Sequence, residues 1–319
     1  MNDQNSPQNG FSNQKRSIFD QPRKVVSGMV FSGVVIGMLF VSLLFSVTIA
    51  VISAVLQIPL DELQETTAYK YCSYLLFQIL YLAVVLVFLK IYKDKPSDIG
   101  WRKTKPQYLL LSIPIAFGLL FSLNWVNTLF VRLLELMGYT MPSASVPSVA
   151  GGGFVGVLIV VALLPAILEE TLFRGIILQG LKEVGTVAAC LLGGLLFSVF
   201  HQNPAQTVYQ FICGCVFTLL AIRADSLLPT VIVHLLNNAV ILFDMKFGFL
   251  ANVSQGGQIA LYVISAVCLV SSLVYLIFID KRNYVKKSES VKPFLLPSLA
   301  GLLLCILTWA LNLFAGFGG

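Results

Sequence analysis

Two adjacent carboxylates, Glu169 and Glu170, and an arginine, Arg174, stand inside an apolar run that opens at Gly151-Gly152-Gly153. A charged side chain in the middle of a bilayer costs about 2.5–3.5 kcal/mol even on the lenient insertion scale. Three within six residues therefore call for a purpose. On a helix Glu170 and Arg174 are four apart, share a face and can pair. Glu169 is turned by about 100° from Glu170 and is left to face something else. One carboxylate is neutralised by its arginine, and the other is available as an acid or base.

The chain's two histidines, His201 and His234, also fall in or at the end of apolar helical segments. Phe197 lies four residues before His201, and Asn238 four residues after His234, so each pair occupies one helix face. A lone intramembrane histidine can serve simply as a hydrogen-bonding link between helices. Carboxylate, two imidazoles and an amide on three helices are instead a set suited to hydrolysis: a base for water and donors for a developing oxyanion. A buried network that only pins helices is the competing structural reading.

The elements that must hold these residues are membrane helices. Of 319 residues, 57% are hydrophobic and only 11% charged, against about 25% charged in soluble domains. The expected fold is an all-α, polytopic membrane bundle of eight or nine transmembrane helices. The net charge of +6 does not indicate nucleic acid, because the basic residues lie between hydrophobic segments, where they act as topology signals. The six cysteines, all in apolar segments, form neither a disulfide framework nor a metal-type pattern.

Residues 1–24 form a polar, basic tail expected to be disordered and cytoplasmic. Helices are expected at 25–60, 71–89, 108–136, 153–180, 184–201, 205–223, 226–245, 259–279 and 295–314. This divides the chain into 25–150 (helices one to three), a core at 151–246 (four to seven) and 247–319 (eight and nine). With the N-terminus inside, seventeen of the 21 Lys and Arg residues are internal. They are four in the tail, six in the second-to-third loop, Lys182, Arg223 and five near 281–292. Only Lys70, Arg132 and Lys246 fall outside. That bias predicts a cytoplasmic N-terminus.

Glu169-Glu170-x-x-x-Arg174, Phe197-x-x-x-His201 and His234-x-x-x-Asn238, in that order over residues 150–245, resemble the CPBP family of intramembrane proteases. That family includes the type II CAAX prenyl endopeptidases and the Abi-like bacteriocin-immunity proteins. The resemblance implies an endopeptidase acting on a membrane-associated, lipidated or CAAX-like peptide or protein. It implies Glu169 as general base on a water shared with His201, His234 and Asn238 as oxyanion donors, and Glu170, Arg174 and Phe197 as the orienting set. Cofactor use stays open at this stage. Glu169, His201 and His234 could complete a three-ligand zinc site, but no His-Glu-x-x-His helix is present, and a metal-free, glutamate-activated water is equally compatible. A non-catalytic immunity or scaffold protein is an alternative function. An ion-coupled transporter is another, against which stands the lack of an internal repeat.

Overall fold

A computed structural model describes residues 21–141, 146–286 and 289–317. It is 83% helical, with no strand among the described residues. The polar tail up to residue 20, and part of the Pro/Ser linker after Met141, lie outside them. Eleven helices follow in chain order: α1 (Arg23–Leu56), α2 (Leu60–Glu65), α3 (Thr67–Tyr92), α4 (Pro106–Ser122), α5 (Asn124–Leu136), α6 (Phe154–Gly180), α7 (Thr186–Phe200), α8 (Thr207–Ala224), α9 (Leu228–Phe247), α10 (Gln255–Ile279) and α11 (Lys292–Phe317).

Eight spans among the described residues are long and apolar enough to cross a membrane, with α4 and α5 together making one. The ninth apolar helix, α7, has only 15 residues. At 1.5 Å per residue it rises about 22 Å, short of the ~30 Å hydrocarbon core. Its last turn, and His201 after it, therefore end at membrane depth. Large apolar side chains such as Phe40, Leu43, Val263 and Leu303 stand exposed along the spans. No soluble monomer would tolerate such a belt, and in lipid it is the expected outer surface. The protein is an integral, multi-pass membrane protein.

The element boundaries follow local chemistry. Thr66 caps α3 by accepting from the Tyr69 amide at 3.2 Å, and Ser254 caps α10 by accepting from Gly257 at 3.2 Å. The third expected helix is broken at Leu123 into α4 and α5. The acidic loop carries the short helix α2, which periodicity did not predict. All six cysteines are free thiols.

Small residues let the helices meet closely. A Cβ on Gly214 of α8 would lie 2.7 Å from the Gly194 Cα of α7, and a Cβ on Gly194 would lie 2.4 Å from Cys215 Sγ. The chain's first and last helices cross at Gly301, where a Cβ would come within 2.8 Å of the Ser32 Cα. There the Ser32 hydroxyl donates to the Pro297 carbonyl at 2.7 Å and accepts from the Gly301 amide at 3.0 Å. One side chain thus stands between a carbonyl and the amide four residues later, tying α1 into α11.

At the end of the bundle where α1 begins, loops are clasped by charge. Tyr108 donates to Asp280, and Arg282 donates to the same carboxylate at 3.1 and 3.2 Å. Buried Arg223 donates to the Leu276 and Arg282 carbonyls at 2.8 and 2.7 Å, satisfying the C-terminal end of α10. Partial burial alone would raise the Asp280 pKa, but the Arg282 and Tyr108 hydrogen bonds outweigh it and hold the group at about 2.

Candidate active site

The site is built on α6, which is not a uniform α-helix. It widens into π-turns over Leu158–Leu163 and again over Thr171–Ile177, with an α-helical stretch, Leu164–Glu170, between them. Such wide turns recur at functional sites. Pro165 opens the α-helical stretch, and proline has no N–H. The carbonyl four residues earlier, Val161, thus lacks its usual α-helical donor. Asn238 of α9 supplies one, its Nδ2 donating to Val161 O at 3.2 Å.

The Glu170 side chain is fully buried, and its Oε1 accepts two bonds: from Arg174 Nη1 at 2.9 Å and from His234 Nδ1 at 3.0 Å. The expected i, i+4 pair is present, and the structure adds an imidazole from α9 to it. Arg174 Nη2 also donates to the Gly214 carbonyl at 3.2 Å. The guanidinium lies 4.4 Å from the Phe197 ring centroid and 5.1 Å from that of Phe217. A cation desolvated among aromatic faces is held by their quadrupoles. Phe197 therefore joins α6 to α7 through a ring, and it serves His201 as well. That imidazole sits edge-on at 4.7 Å between centroids, and its Nδ1 bonds the Phe197 carbonyl at 2.7 Å.

These contacts set the imidazole tautomers. A carbonyl and a carboxylate only accept, so Nδ1 carries the proton in both rings. Both Nε2 atoms are then left for other work. Glu169, half-buried, makes no hydrogen bond or ion pair among the described residues. It is the carboxylate left over, as its position on the helix predicts. Asn238 is held by its neighbours: Asn237 Nδ2 donates to its Oδ1 at 3.3 Å, and Tyr209 Oη donates to Asn237 Oδ1 at 2.6 Å.

Metal use, left open by the sequence, has Glu169, His201 and His234 as its candidate ligands. No three His, Cys, Asp or Glu side chains among the described residues are placed to share one ion.

Two cavities adjoin the site. One, of about 640 Å³, lies between α4–α5, α8, α9 and α10, with Asn237, Asn238, Tyr209 and Asp244 in its wall. The other, of about 500 Å³, lies at His201 and is walled by Tyr139, Asn312 and Gly316. The α8 N-terminus is tied to α11 beside it, Trp309 Nε1 donating to Thr207 Oγ1 at 2.8 Å. The contributions of α5 and α11 could not be read from the three motifs. The Tyr209–Asn237 link is equally invisible, since it needs two helices in register. The Gly193-Gly194 pair, facing Thr218 and Gly214 of α8, carried a readable signal, small residues where helices approach closely.

The family described as Rce1-like, type II CAAX prenyl endopeptidase Rce1-like, matches residues 151–240, a span that contains all three motifs. Neither comparison with curated proteins nor comparison with solved structures finds a match. Over residues 151–240 the chain is thus similar to the type II CAAX prenyl endopeptidases, membrane hydrolases acting on peptide bonds, and the match and the spanning helices that carry it support a CPBP-type intramembrane protease.

Proposed function

We propose that the chain hydrolyses a peptide bond of a membrane-associated peptide or protein with a water activated by Glu169 and His201. The observation that supports this most is the pinning of both imidazoles through Nδ1, at 2.7 and 3.0 Å. The attacking water donates one hydrogen to the Glu169 carboxylate and the other to His201 Nε2, which leaves a lone pair directed at the carbonyl carbon. As the C–O bond forms, Glu169 takes the water's proton. The carbonyl oxygen becomes an oxyanion, stabilised by donors already in place. Asn238 Nδ2 offers its second hydrogen, the first being given to Val161. His234, its ring fixed by the Glu170 carboxylate at 3.0 Å from Nδ1, completes the oxyanion side of the site, the role the family resemblance suggests for it. Glu169 then returns its proton to the amide nitrogen as the C–N bond breaks, releasing a carboxylate and an amine. Arg174, Glu170 and Phe197 position the imidazoles without touching substrate. A lipidated, CAAX-like segment is the substrate form that the family resemblance suggests.

The test uses purified protein in detergent with a quenched fluorescent peptide library. Glu169→Gln keeps size and hydrogen bonding but cannot act as base. It is expected to lower cleavage by roughly 10²–10⁴-fold with thermal stability near wild type. Equal rates for variant and wild type would overturn the mechanism, and a wild type that cleaves nothing would point to an immunity or scaffold role. Chelation followed by zinc reads the metal question. Loss restored by zinc would assign ligation to Glu169, His201 and His234. Indifference would assign the water to the side chains alone.

A further inference from the structure

A carboxamide makes a good oxyanion donor only if its nitrogen, and not its oxygen, is held towards the substrate. Asn238 is half-buried in the wall of an open cavity. Rotation about the last bond of an asparagine is soft and roughly two-fold, and in such a place water could satisfy either orientation. The structure fixes the orientation from both ends. On one side stands the Val161 carbonyl, which can only accept, so the atom 3.2 Å from it must be Nδ2. On the other side Asn238 Oδ1 accepts from Asn237 Nδ2 at 3.3 Å. That leaves Asn237 Oδ1 to accept in its turn, and the Tyr209 hydroxyl donates to it at 2.6 Å.

The result is a single file of bonds over three helices, from Tyr209 on α8 through Asn237 and Asn238 on α9 to the Val161 carbonyl on α6. Every bond points the same way. Two properties of this file bear on chemistry. First, neighbouring residues on a helix are turned about 100° apart, so the two asparagine side chains meet only if each is bent towards the other. Tyr209, reaching across from α8, is the group that holds Asn237 in that pose. Second, aligned hydrogen bonds polarise one another. Donation into Asn238 Oδ1 draws electron density through the amide and makes the Nδ2 hydrogens better donors.

We infer that Tyr209 and Asn237 are positioning residues for the Asn238 donor: they aim its nitrogen and strengthen it without touching substrate. The catalytic part of this inference rests on the proteolytic reading, whereas the aiming of the amide does not. Tyr209→Phe keeps the ring and removes the hydroxyl that starts the file, and Asn237→Ala breaks it one link nearer the site. With a quenched peptide that the wild type cleaves, each variant is expected to lower kcat by up to roughly 10²-fold, the scale of loss from a misplaced group. KM and the melting temperature in detergent should stay near wild type. In an Asn238→Ala background neither substitution should cost anything further, since the group they aim is gone. A tyrosine that merely ties α8 to α9 would instead lower the melting temperature and act equally in both backgrounds.

A second measurement needs no turnover. In protein carrying isotope-labelled asparagine, the side-chain amide resonance of Asn238 is identified by its loss in Asn238→Ala. In Tyr209→Phe that resonance is expected to shift and its hydrogens to exchange faster with solvent. Wild-type kcat in both variants, equal losses with and without Asn238, or an Asn238 resonance indifferent to Tyr209→Phe would each overturn the inference. If the wild type itself cleaves no peptide, the protease reading fails, and the amide resonance still decides whether Tyr209 orders Asn238.

Discussion

His201 and His234 differ in what their Nδ1 atoms are spent on, and this separates their roles. One ring gives its Nδ1 proton to a backbone carbonyl and turns its Nε2 to the water, whereas the other gives it to the Glu170 carboxylate and is tied to the Arg174 pair. His201→Ala is therefore expected to remove the water's second partner and abolish most cleavage, with a melting temperature in detergent near wild type. Asn238→Ala should cost roughly 10²–10³ in turnover as the loss of an oxyanion donor. Combined with Glu169→Gln the losses should be less than additive, because both act on one transition state. Double-variant kinetics check this. At this scale the motif spacing was highly informative. It gave the Glu170–Arg174 pair and the unpaired Glu169 from helical geometry alone. The attachment of His234 to Glu170 was not legible, because sequence spacing says nothing about which of two carboxylates a second helix will face. Nor was the Val161 carbonyl, whose missing donor has meaning only once Asn238 is seen opposite.

Helices here are positioned by what they lack as much as by what they carry. Where α7 crosses α8, Gly194 and Gly214 are in backbone contact, and that contact brings the Gly214 carbonyl to Arg174. Gly214→Ala would put a methyl 2.7 Å from the Gly194 Cα, so one helix must move. A loss of about 1–3 kcal/mol is expected from such overpacking, read as a lower unfolding midpoint, with a fall in turnover as Arg174 loses its carbonyl. Arg174→Ala is the harsher change. Removing one partner from a buried pair costs roughly 3–5 kcal/mol, and poor yield of folded protein is expected. Well-folded, active Arg174→Ala protein would show that the pair does not hold the site. Composition and hydropathy located nine apolar segments, and the structure has all nine. They could not locate the π-turns of α6, which leave no mark in its apolar periodicity.

Across the whole molecule the loops at the end where α1 begins form a clasp, and its Asp280 gives it a pH limit. The carboxylate is held at about 2, below the ordinary ~3.9 of an unfolded aspartate. A depressed folded value means the contribution is complete above about pH 4 and disappears as pH falls through about 2. Asp280→Asn is therefore expected to melt below wild type at pH 7, with the gap closing towards pH 2. Thermal scans across that range measure it.

The short α7 has a consequence that reaches beyond the protein to its solvent. A helix of 15 residues beside neighbours of 20 or more creates a hydrophobic mismatch, and the bilayer next to it must thin or admit water. Lipid length then becomes a control on turnover. Reconstituted in shorter-chain phosphatidylcholine, the protein should have the headgroup boundary brought down towards His201, and its hydrolytic water should arrive more readily. In long-chain lipid the same residues would sit beneath a thicker apolar lid. Activity in proteoliposomes is expected to fall steadily as acyl chains lengthen, while activity in detergent stays fixed.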